Sequence, residues 1–161
     1  MNSPEPTARA ARRPAVLDDV SRALVEMLQR DGRQSYAALA AAVGLSESTV
    51  RQRVQRLVDA GVIQVVAVTD PTQVGFARQA MIGIRVDGDP SATLAAIEAL
   101  PEVEYLVSTA GSFDLLVEVV CEDDDHVLDL LARLRRLPGV SSTETFLYLK
   151  LHRQRYDWGT R

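Results

Sequence analysis

The sequence predicts an α+β fold in which three short helices precede a βαββαβ sandwich. Two observations support this prediction. Residues 33–63 read as two short helices joined by a tight turn. Further along the chain, the tetrapeptide LPEV at 100–103 returns as LPGV at 137–140, each time between a helical segment and a β-rich one. The first pattern indicates a bihelical unit, and the second indicates a domain built from two similar halves.

A first helix is predicted ahead of the bihelical unit. Apolar residues recur there at three- and four-residue spacing, and Asp31-Gly32 ends the run. These apolar residues are Leu17, Val20, Leu24, Met27 and Leu28. Together with the bihelical unit, this helix gives three helices that can pack around one apolar centre.

The bihelical unit carries its own start and stop signals. Ser35 is a good N-cap for its first helix, Gly44 stands where a helix ends on a left-handed residue, and Ser46 can cap its second helix. The inward positions of the second helix are Val50, Val54, Leu57 and Val58. Short polar side chains edged by arginines cover the opposite arc, which suits a helix that enters a DNA major groove. The pattern predicts a helix-turn-helix domain of the winged type.

Candidate DNA-binding residues can be assigned from this geometry, because the start of the second helix reaches base edges and nearby arginines suit phosphates. The base-edge candidates are Ser46, Ser48, Thr49 and Gln52, and the phosphate candidates are Arg33, Arg51, Arg53 and Arg56. For Arg53 a second interpretation stays open, an ion pair with Asp59 or Glu26. For the whole arc, the alternative is a merely solvated polar face.

The flanking segments divide the chain. Residues 1–15 read as a disordered basic arm, and residues 16–61 as the helix-turn-helix domain. Residues 62–76 read as a connecting strand and linker. Their β-rich first part, 62–68, predicts either a wing or a strand that leads into the next domain, and a Pro and a Gly punctuate the remainder of the linker.

The repeat predicts the second domain at residues 77–151, with a C-terminal tail at 152–161. Each half reads strand, helix, strand, and a short turn joins the halves, which gives a βαββαβ ferredoxin-like sandwich. The predicted strands lie at about 79–86, 103–109, 114–120 and 140–150, and the helices at about 91–100 and 124–137.

Helices are expected on one face of this sheet only. The other face would display Met81, Tyr105, Val107, Leu116 or their neighbours. Since no third layer remains in the sequence, that face needs a partner. A second copy of the same sheet fits this need, so the sequence predicts a dimer.

Composition narrows the class of protein. Hydrophobic residues make up 47% and charged residues 25% of the 161 residues, as in an ordinary soluble globular protein. No apolar run approaches the ~20 residues needed to span a bilayer, and the N-terminus lacks the apolar core of a signal peptide. One cysteine, Cys121, permits no internal disulfide, so a reducing cytoplasm is expected.

The net charge of −4 divides unevenly along the chain. Residues 1–69 hold nine basic and seven acidic residues, a net charge of +2, and residues 70–161 hold nine basic and fifteen acidic residues, a net charge of −6. A basic front half suits phosphates while an acidic rear half stays off the DNA. A charge of +2 is weak for a DNA-binding domain, so more than one copy is expected to act together.

The chain resembles the leucine-responsive/asparagine-synthase-regulator family (Lrp/AsnC, the feast/famine regulators) over roughly residues 17–150. The resemblance rests on the order and spacing of LDDVSRALVEMLQRDGRQSYAALAAAVGLSESTVRQRVQRLVDAGVI, VTDPTQVG, GSFDLLVEV and LPGVSSTETFLYLK. It implies a helix-turn-helix, a connecting strand, and a βαββαβ effector (RAM) domain that dimerises through its sheet and often forms octamers. It also implies a small effector, commonly an amino acid, bound between effector domains.

The resemblance points to the turn at 110–114 as one side of an effector site. Its glycine allows close backbone approach, its serine hydroxyl and amides suit a carboxylate, and its aspartate suits an α-amino group. The candidates are Ala110, Gly111, Ser112, Phe113 and Asp114, with Thr143, Glu144 and Thr145 on the last strand as contacts across a dimer interface. From the residues alone, the turn reads more simply as a hairpin turn. For the strand residues, an orientation toward solvent is an equally open interpretation. The chain departs from the family at Ser21, where an acid is usual, and at Phe113, where tyrosine is frequent.

Other kinds of site find little support. The acidic run at 122–125 lies at a predicted helix start, where acids complement the helix dipole, and no second acidic cluster has metal-ligand spacing. No nucleophile–base pair or Gly-rich phosphate loop is present, so neither an enzyme nor a cofactor is expected. The sequence thus predicts a cytoplasmic, nucleoid-associated transcriptional regulator that binds double-stranded DNA as a dimer or octamer, contacts no membrane and responds to a small effector. An architectural DNA-binding protein without an effector is the alternative.

Overall fold

The computed structural model describes residues 17–161, and the arm predicted at 1–15 lies outside them. The described chain forms two compact units. The first comprises residues 17–67 together with 154–161, and the second comprises Val68–Arg153. No helix among the described residues is long and apolar enough to cross a membrane.

Three helices build the first unit, and each begins where a side chain caps it. Asp18, Ser35 and Ser46 each accept a hydrogen bond from the backbone amide three residues further on. Gly44 has a φ of +69°, the left-handed conformation that ends the second helix, as predicted. The helices are α1 (Asp19–Arg30), α2 (Tyr36–Val43) and α3 (Glu47–Asp59).

The apolar stripes predicted for these helices meet in one core. Leu24, Leu39 and Val50 are fully buried at its centre. Val58 was expected to face inward but is 38% exposed, because Leu57 takes the inward position at this turn of α3. The remaining core residues include Val20, Met27, Leu28, Ala40, Val43, Leu45 and Val54.

Within the described chain, the segment after α3 pairs with no strand, so the wing or connecting strand predicted for residues 62–68 stays a prediction. The amides of Val62 and Ile63 bond back to the Leu57 carbonyl, and residues 63–70 have no regular secondary structure. A strand exists only where a neighbour supplies hydrogen-bond partners, and no described strand pairs with this segment. Within the predicted linker, Asp70 caps a short 3₁₀ helix, Pro71–Val74.

The C-terminal segment 154–161 packs on α1. Gln29 makes two hydrogen bonds with the backbone of Gly159, accepting from its amide at 3.0 Å and donating to its carbonyl at 3.4 Å. The Thr160 hydroxyl donates to Glu26 Oε1 at 2.7 Å. The side chain of Trp158, the residue next to Asp157 and Gly159 in this segment, is exposed. The chain therefore returns to its first unit at its C-terminal end.

The second unit is the predicted βαββαβ sandwich. Its strands form one antiparallel sheet in the order β2-β3-β1-β4, so β1 and β3 occupy the centre. Residues of both helices join one core with alternate residues of the central strands, which places the helices on the same face. The elements are β1 (Arg78–Val86), α4 (Ser91–Glu98), β2 (Val103–Ser108), β3 (Leu115–Cys121), α5 (Asp124–Leu134) and β4 (Val140–Leu147).

The repeated Leu-Pro-x-Val tetrapeptide forms the same turn twice. In each copy the leucine amide bonds to the carbonyl three residues earlier, at 3.0 Å for Leu100 and 3.1 Å for Leu137. The valine amide then bonds to the carbonyl of that leucine, at 3.1 Å for Val103 and 3.2 Å for Val140. A residue that precedes proline avoids the α conformation. Both helices therefore end two or three residues earlier than predicted.

Alternation along the strands separates a covered face from an open face. Ile82 and Ile84 of β1 are fully buried beneath the helices, together with Val117 of β3. Residues at the intervening positions, and those paired with them across the sheet, lie on the open face. This face carries the predicted residues Met81, Tyr105, Val107 and Leu116, and it also carries Glu118 and Phe146.

Gly83, at the centre of the open face, lies directly beneath the ring of Phe113. A Cβ atom at position 83 would come within 2.6 Å of a carbon of that ring. The ring is held in place by Phe146, edge-on at a centroid distance of 6.2 Å, and by the Arg85 guanidinium, 5.8 Å from its centroid. Phe113 is therefore a packing residue of the open face, and the position beneath it has room only for glycine.

Replacing Gly83 with alanine is expected to destabilise the second unit by about 1–3 kcal/mol, because overpacking forces a rigid ring out of its place. Urea unfolding followed by circular dichroism measures the change. Gly111→Ala is the matched control, since a Cβ at that glycine meets no atom within 4 Å. An unfolding midpoint that stays the same in both variants would contradict this packing.

Candidate nucleic-acid interface and effector-binding turn

Helix α3 turns one polar surface toward solvent. Its buried side carries Val50, Val54 and Leu57. The exposed side carries three of the predicted base-edge residues and two phosphate candidates, namely Ser48, Thr49, Gln52, Arg51 and Arg56. The structure therefore brings these candidates together at the start and along the outer arc of the same helix.

Three hydroxyl groups meet at the start of α3. The Ser46 Oγ accepts from the Thr49 amide at 3.2 Å, and it lies 2.8 Å from Thr49 Oγ1 and 3.0 Å from Ser48 Oγ. These are exposed hydrogen bonds between rotatable groups, which exchange partners at little cost. The cap thus holds the helix start in place while leaving donors and acceptors for base edges or phosphates.

Arg53 has a structural partner, although not one of those predicted. Its guanidinium bonds to Asp18 Oδ2 at 2.6 Å and lies 3.4 Å from Ser21 Oγ. Asp59 accepts instead from Gln55, so the predicted pairs with Asp59 and Glu26 are wrong. Hydrogen bonds from Ser21, followed by the bond from Arg53, lower the pKa of Asp18 to about 2. Because Asp18 also caps α1, this ion pair ties α3 to the start of α1.

The other arginines proposed to bind phosphates differ in whether their side chains already have a partner within the protein. Arg51 donates to Glu47 Oε1 at 2.8 Å, and its guanidinium lies 4.5 Å from the centroid of the Tyr36 ring. Arg33 is almost fully exposed, with Asp31 3.7 Å away. Within residues 17–161, the Arg56 side chain has no ion-pair or hydrogen-bond partner. Arg56 is thus the α3 arginine that is free to bind a phosphate at no internal cost.

The folded helix-turn-helix carries balanced charge. Residues 17–67 contain six arginines and six acidic residues, so their net charge is zero. The +2 of residues 1–69 therefore resides in the basic segment ahead of α1. Residues 17–67 of a single copy therefore attract phosphates only weakly. DNA affinity then depends more on base contacts and on the number of copies bound.

The turn at 110–114 joins β2 to β3 and is closed by its own backbone. The Thr109 amide bonds to the Asp114 carbonyl at 2.9 Å, and the Thr109 hydroxyl donates to the Phe113 carbonyl at 2.6 Å. Asp114 Oδ2 accepts from the Val86 amide at 2.8 Å, which anchors the turn to the end of β1. Ala110, Gly111 and Ser112 are exposed at the tip. The hairpin interpretation thus accounts for Asp114 Oδ2, while the tip and Asp114 Oδ1 remain open to a ligand.

The candidates on β4 do not share one face. Thr143 pairs with Ile84 and Thr145 pairs with Ile82, so both lie on the covered side of the sheet. Thr143 also accepts a hydrogen bond from Arg135 at 3.1 Å. Glu144 pairs with Gly83 and lies on the open face. Of the three, Glu144 alone therefore has the orientation that was expected of a contact across the open face.

A cluster around Glu102 was missed by the sequence reasoning. Glu102 is 7% exposed, accepts from Arg133, and lies 3.0 Å from His126 Nε2. Burial alone would raise the pKa of Glu102, but the hydrogen bonds from His126 and Arg133 outweigh burial and lower it. His126 is therefore a partner of a buried carboxylate rather than a free surface imidazole. No sequence signal marked the cluster, because its members are 24 and 31 residues apart from Glu102.

The acidic run at 122–125 has structural partners. Asp123 caps α5 by accepting from the His126 amide at 2.8 Å, and Asp124 forms an ion pair with Arg78. Among the described residues, no group of three or more His, Cys, Asp or Glu side chains is arranged to hold a metal ion.

A helix-turn-helix with an exposed recognition helix, followed by a βαββαβ domain, defines a class of two-domain DNA-binding regulators. Comparisons with known proteins sharpen this class. Residues 17–58 match the model of the AsnC-type helix-turn-helix domain, and residues 79–158 match that of the Lrp/AsnC ligand binding domain. The chain is 30% identical over 141 residues to the HTH-type transcriptional regulator FL11 of Pyrococcus furiosus, covering 86% of this chain and 93% of that protein.

Two solved structures show the same likeness. The leucine response regulatory protein LrpA of Mycobacterium tuberculosis is 34% identical, with a TM-score of 0.79 over 87% of this chain and 99% of that chain. The transcriptional regulator NMB0573 of Neisseria meningitidis, solved as a complex with L-Met, is 25% identical, with a TM-score of 0.78 over 88% and 95%. The protein belongs to the Lrp/AsnC family of transcriptional regulators, which are DNA-binding proteins with a ligand-binding domain and not enzymes.

Arg56→Ala is expected to weaken binding to every duplex and to reduce the slope of log affinity against log salt by about 0.9, the loss of one phosphate contact. Fluorescence anisotropy with a labelled duplex, titrated at several salt concentrations, measures both effects. Gln52→Ala should instead alter preference among base pairs with an unchanged slope. Arg30→Ala removes the same charge from α1 and serves as control. Equal slopes for Arg56→Ala and the wild type would rule out the phosphate contact.

Proposed function

We propose that this protein is a nucleoid-associated regulator that reads palindromic or repeated DNA sites with two or more copies of its recognition helix. In this proposal, a small effector such as an amino acid binds between effector domains and changes the assembly or spacing of the DNA-binding domains. The observation that carries the proposal is the apolar open face of the sheet, because a face of this composition requires a partner in solution.

The open face carries a group of apolar and aromatic side chains of the kind that interfaces bury, alongside Glu118 and Glu144. Tyr105 is 52% and Phe146 is 45% exposed, and Met81, Val107 and Leu116 accompany them. Large contiguous apolar patches are uncommon on monomeric proteins. A second copy of the same face is self-complementary under two-fold symmetry, which buries the patch on both copies.

Pairing of the sheets would also compensate for the weak electrostatic attraction of the first unit to DNA. The folded helix-turn-helix, residues 17–67, has no net charge. Linking two such units makes the second binding event intramolecular, so affinity rises without any new contact. A dimer therefore gains DNA affinity by binding with two recognition helices, although each one attracts phosphates weakly. A symmetric dimer also matches a symmetric DNA site.

Placing a charge on the open face is expected to separate the copies and to lower DNA affinity at least about tenfold, the loss of an avidity effect. Tyr105→Glu and Phe146→Glu are the test variants. Sedimentation velocity measures mass, and anisotropy with duplexes selected from a random pool measures binding. Leu128→Glu, at an exposed leucine on α5, is the control and should keep the wild-type mass. The sheet-to-sheet assignment fails if all three variants share the wild-type mass.

Effector binding is supported by three observations. The second unit matches a ligand-binding domain model, a relative of similar fold was solved with L-Met, and the turn at 110–114 exposes its tip while its base is anchored. In the proposed site, amides and the hydroxyl around Gly111 and Ser112 hold a carboxylate, and Asp114 attracts the amino group. Ala110 contributes backbone, Phe113 an apolar wall, and Glu144 a contact from the open face.

An amino-acid effector is expected to raise the melting temperature, because a ligand at a hundred times its Kd stabilises the folded state by about 2.7 kcal/mol. A panel of the twenty amino acids in differential scanning fluorimetry, each at millimolar concentration, measures this. Asp114→Asn should abolish the shift while keeping the fold, since the amide oxygen still accepts from Val86.

The same panel separates the effector-responsive regulator from the architectural alternative. A regulator gains stability with a particular amino acid and changes its affinity for a selected duplex in its presence. An architectural DNA-binding protein shows neither response to any member of the panel.

A further inference from the structure

Arg51, on the outer arc of α3, is held by two neighbours at once. Its guanidinium donates to Glu47 Oε1 at 2.8 Å, one helical turn earlier, and lies 4.5 Å from the centroid of the Tyr36 ring on α2. The Arg51 and Glu47 side chains are 60% and 51% exposed. Arg51 therefore lies on the surface that phosphates would approach, but its charge is already paired with a carboxylate of the same helix.

Glu47 places a negative charge at the end of α3 that is expected to approach the DNA. It is the first residue of α3, directly after the Ser46 cap, and the first turn of a recognition helix is the part that comes closest to the DNA. An acid at a helix start does favour the helix dipole. The same carboxylate, however, opposes phosphates and competes with them for Arg51. A glutamine would serve the helix almost as well without either effect.

We propose that Glu47 is a specificity-determining residue, because it withholds Arg51 from phosphates in non-specific complexes. Non-specific binding depends almost wholly on phosphate attraction, so it gains little from an arginine that first has to leave its carboxylate. At a specific site, base contacts by the neighbouring residues hold the helix start in the groove, and Arg51 then exchanges Glu47 for a phosphate. The inference depends on the DNA-binding role of α3 and is independent of the effector and of the assembly.

The test is Glu47→Gln in the full chain, which keeps the shape of the side chain and removes its charge. Two labelled probes are used, a mixed-sequence duplex and the tightest duplex selected from a random pool by the wild-type protein. Affinity for the mixed-sequence duplex is expected to rise roughly three- to tenfold, with a salt slope steeper by about 0.9, as one phosphate contact is gained. Affinity for the selected duplex should rise less, so the ratio of the two affinities falls.

Asp19→Asn is the matched control. Asp19 is likewise the first residue of its helix, α1, and has an arginine neighbour, Arg22, at 3.6 Å. It removes the same charge from the same unit without touching Arg51. A double-mutant cycle completes the test, because the gain from Glu47→Gln should vanish in an Arg51→Ala background.

Three results would overturn the proposal. Glu47→Gln and Asp19→Asn could raise mixed-sequence affinity equally, or the gain could persist without Arg51; in both cases the charge acts only at a distance. The third is a loss of preference at one base pair of the selected site with unchanged mixed-sequence affinity, which would make Glu47 a reader of cytosine. Melting temperatures within a degree or two of the wild type establish that each variant is folded.

Discussion

Strand β1 bonds to a neighbour along both of its edges, and its residues alternate between the two faces of the sheet. Ile82 and Ile84 enter the core beneath the helices, while Gly83 between them makes room for Phe113 on the open face. A slip of one residue would exchange the two faces. This single register therefore sets the buried core, the apolar open face and, through the bonds from Asp114 to the end of β1, the position of the turn at 110–114.

The helices of the first unit meet in an apolar core, and two arginines of α3 are in addition held by partners within the unit. Arg53 joins α3 to the cap of α1 through Asp18, and Arg51 joins α3 to α2 through Tyr36. Exposed ion pairs of this kind add little stability and weaken with salt. These pairs matter more for DNA recognition, because an arginine that is paired within the protein has to leave its partner before it can bind a phosphate. A neutral helix-turn-helix of this kind gains affinity from base contacts and from a second copy rather than from charge.

The fold was largely predictable because its strongest signals are local. Capping by Ser35 and Ser46 joins atoms three residues apart, Gly44 needs only its own backbone conformation, and the Leu-Pro-x-Val turn closes within six residues. The strand expected at 62–68 illustrates the limit of such signals. Its residues favour extended backbone, but a strand also needs a paired edge, and propensity carries no information about where a partner lies.

By itself, the sequence determined the element order, the amphipathic faces and the candidate residues of α3, because these depend on spacing along one chain. Only the tertiary structure decided which charges are free. Arg53 and Asp18 are 35 residues apart and Glu102 and His126 are 24 apart, and nothing in their spacing marks them as partners. The tertiary structure also decided that Thr143 and Thr145 face the helices while Glu144 faces outward, because the orientation of these side chains depends on the register of β4 against β1. Contacts between distant segments are set by packing, and packing is a property of the whole fold.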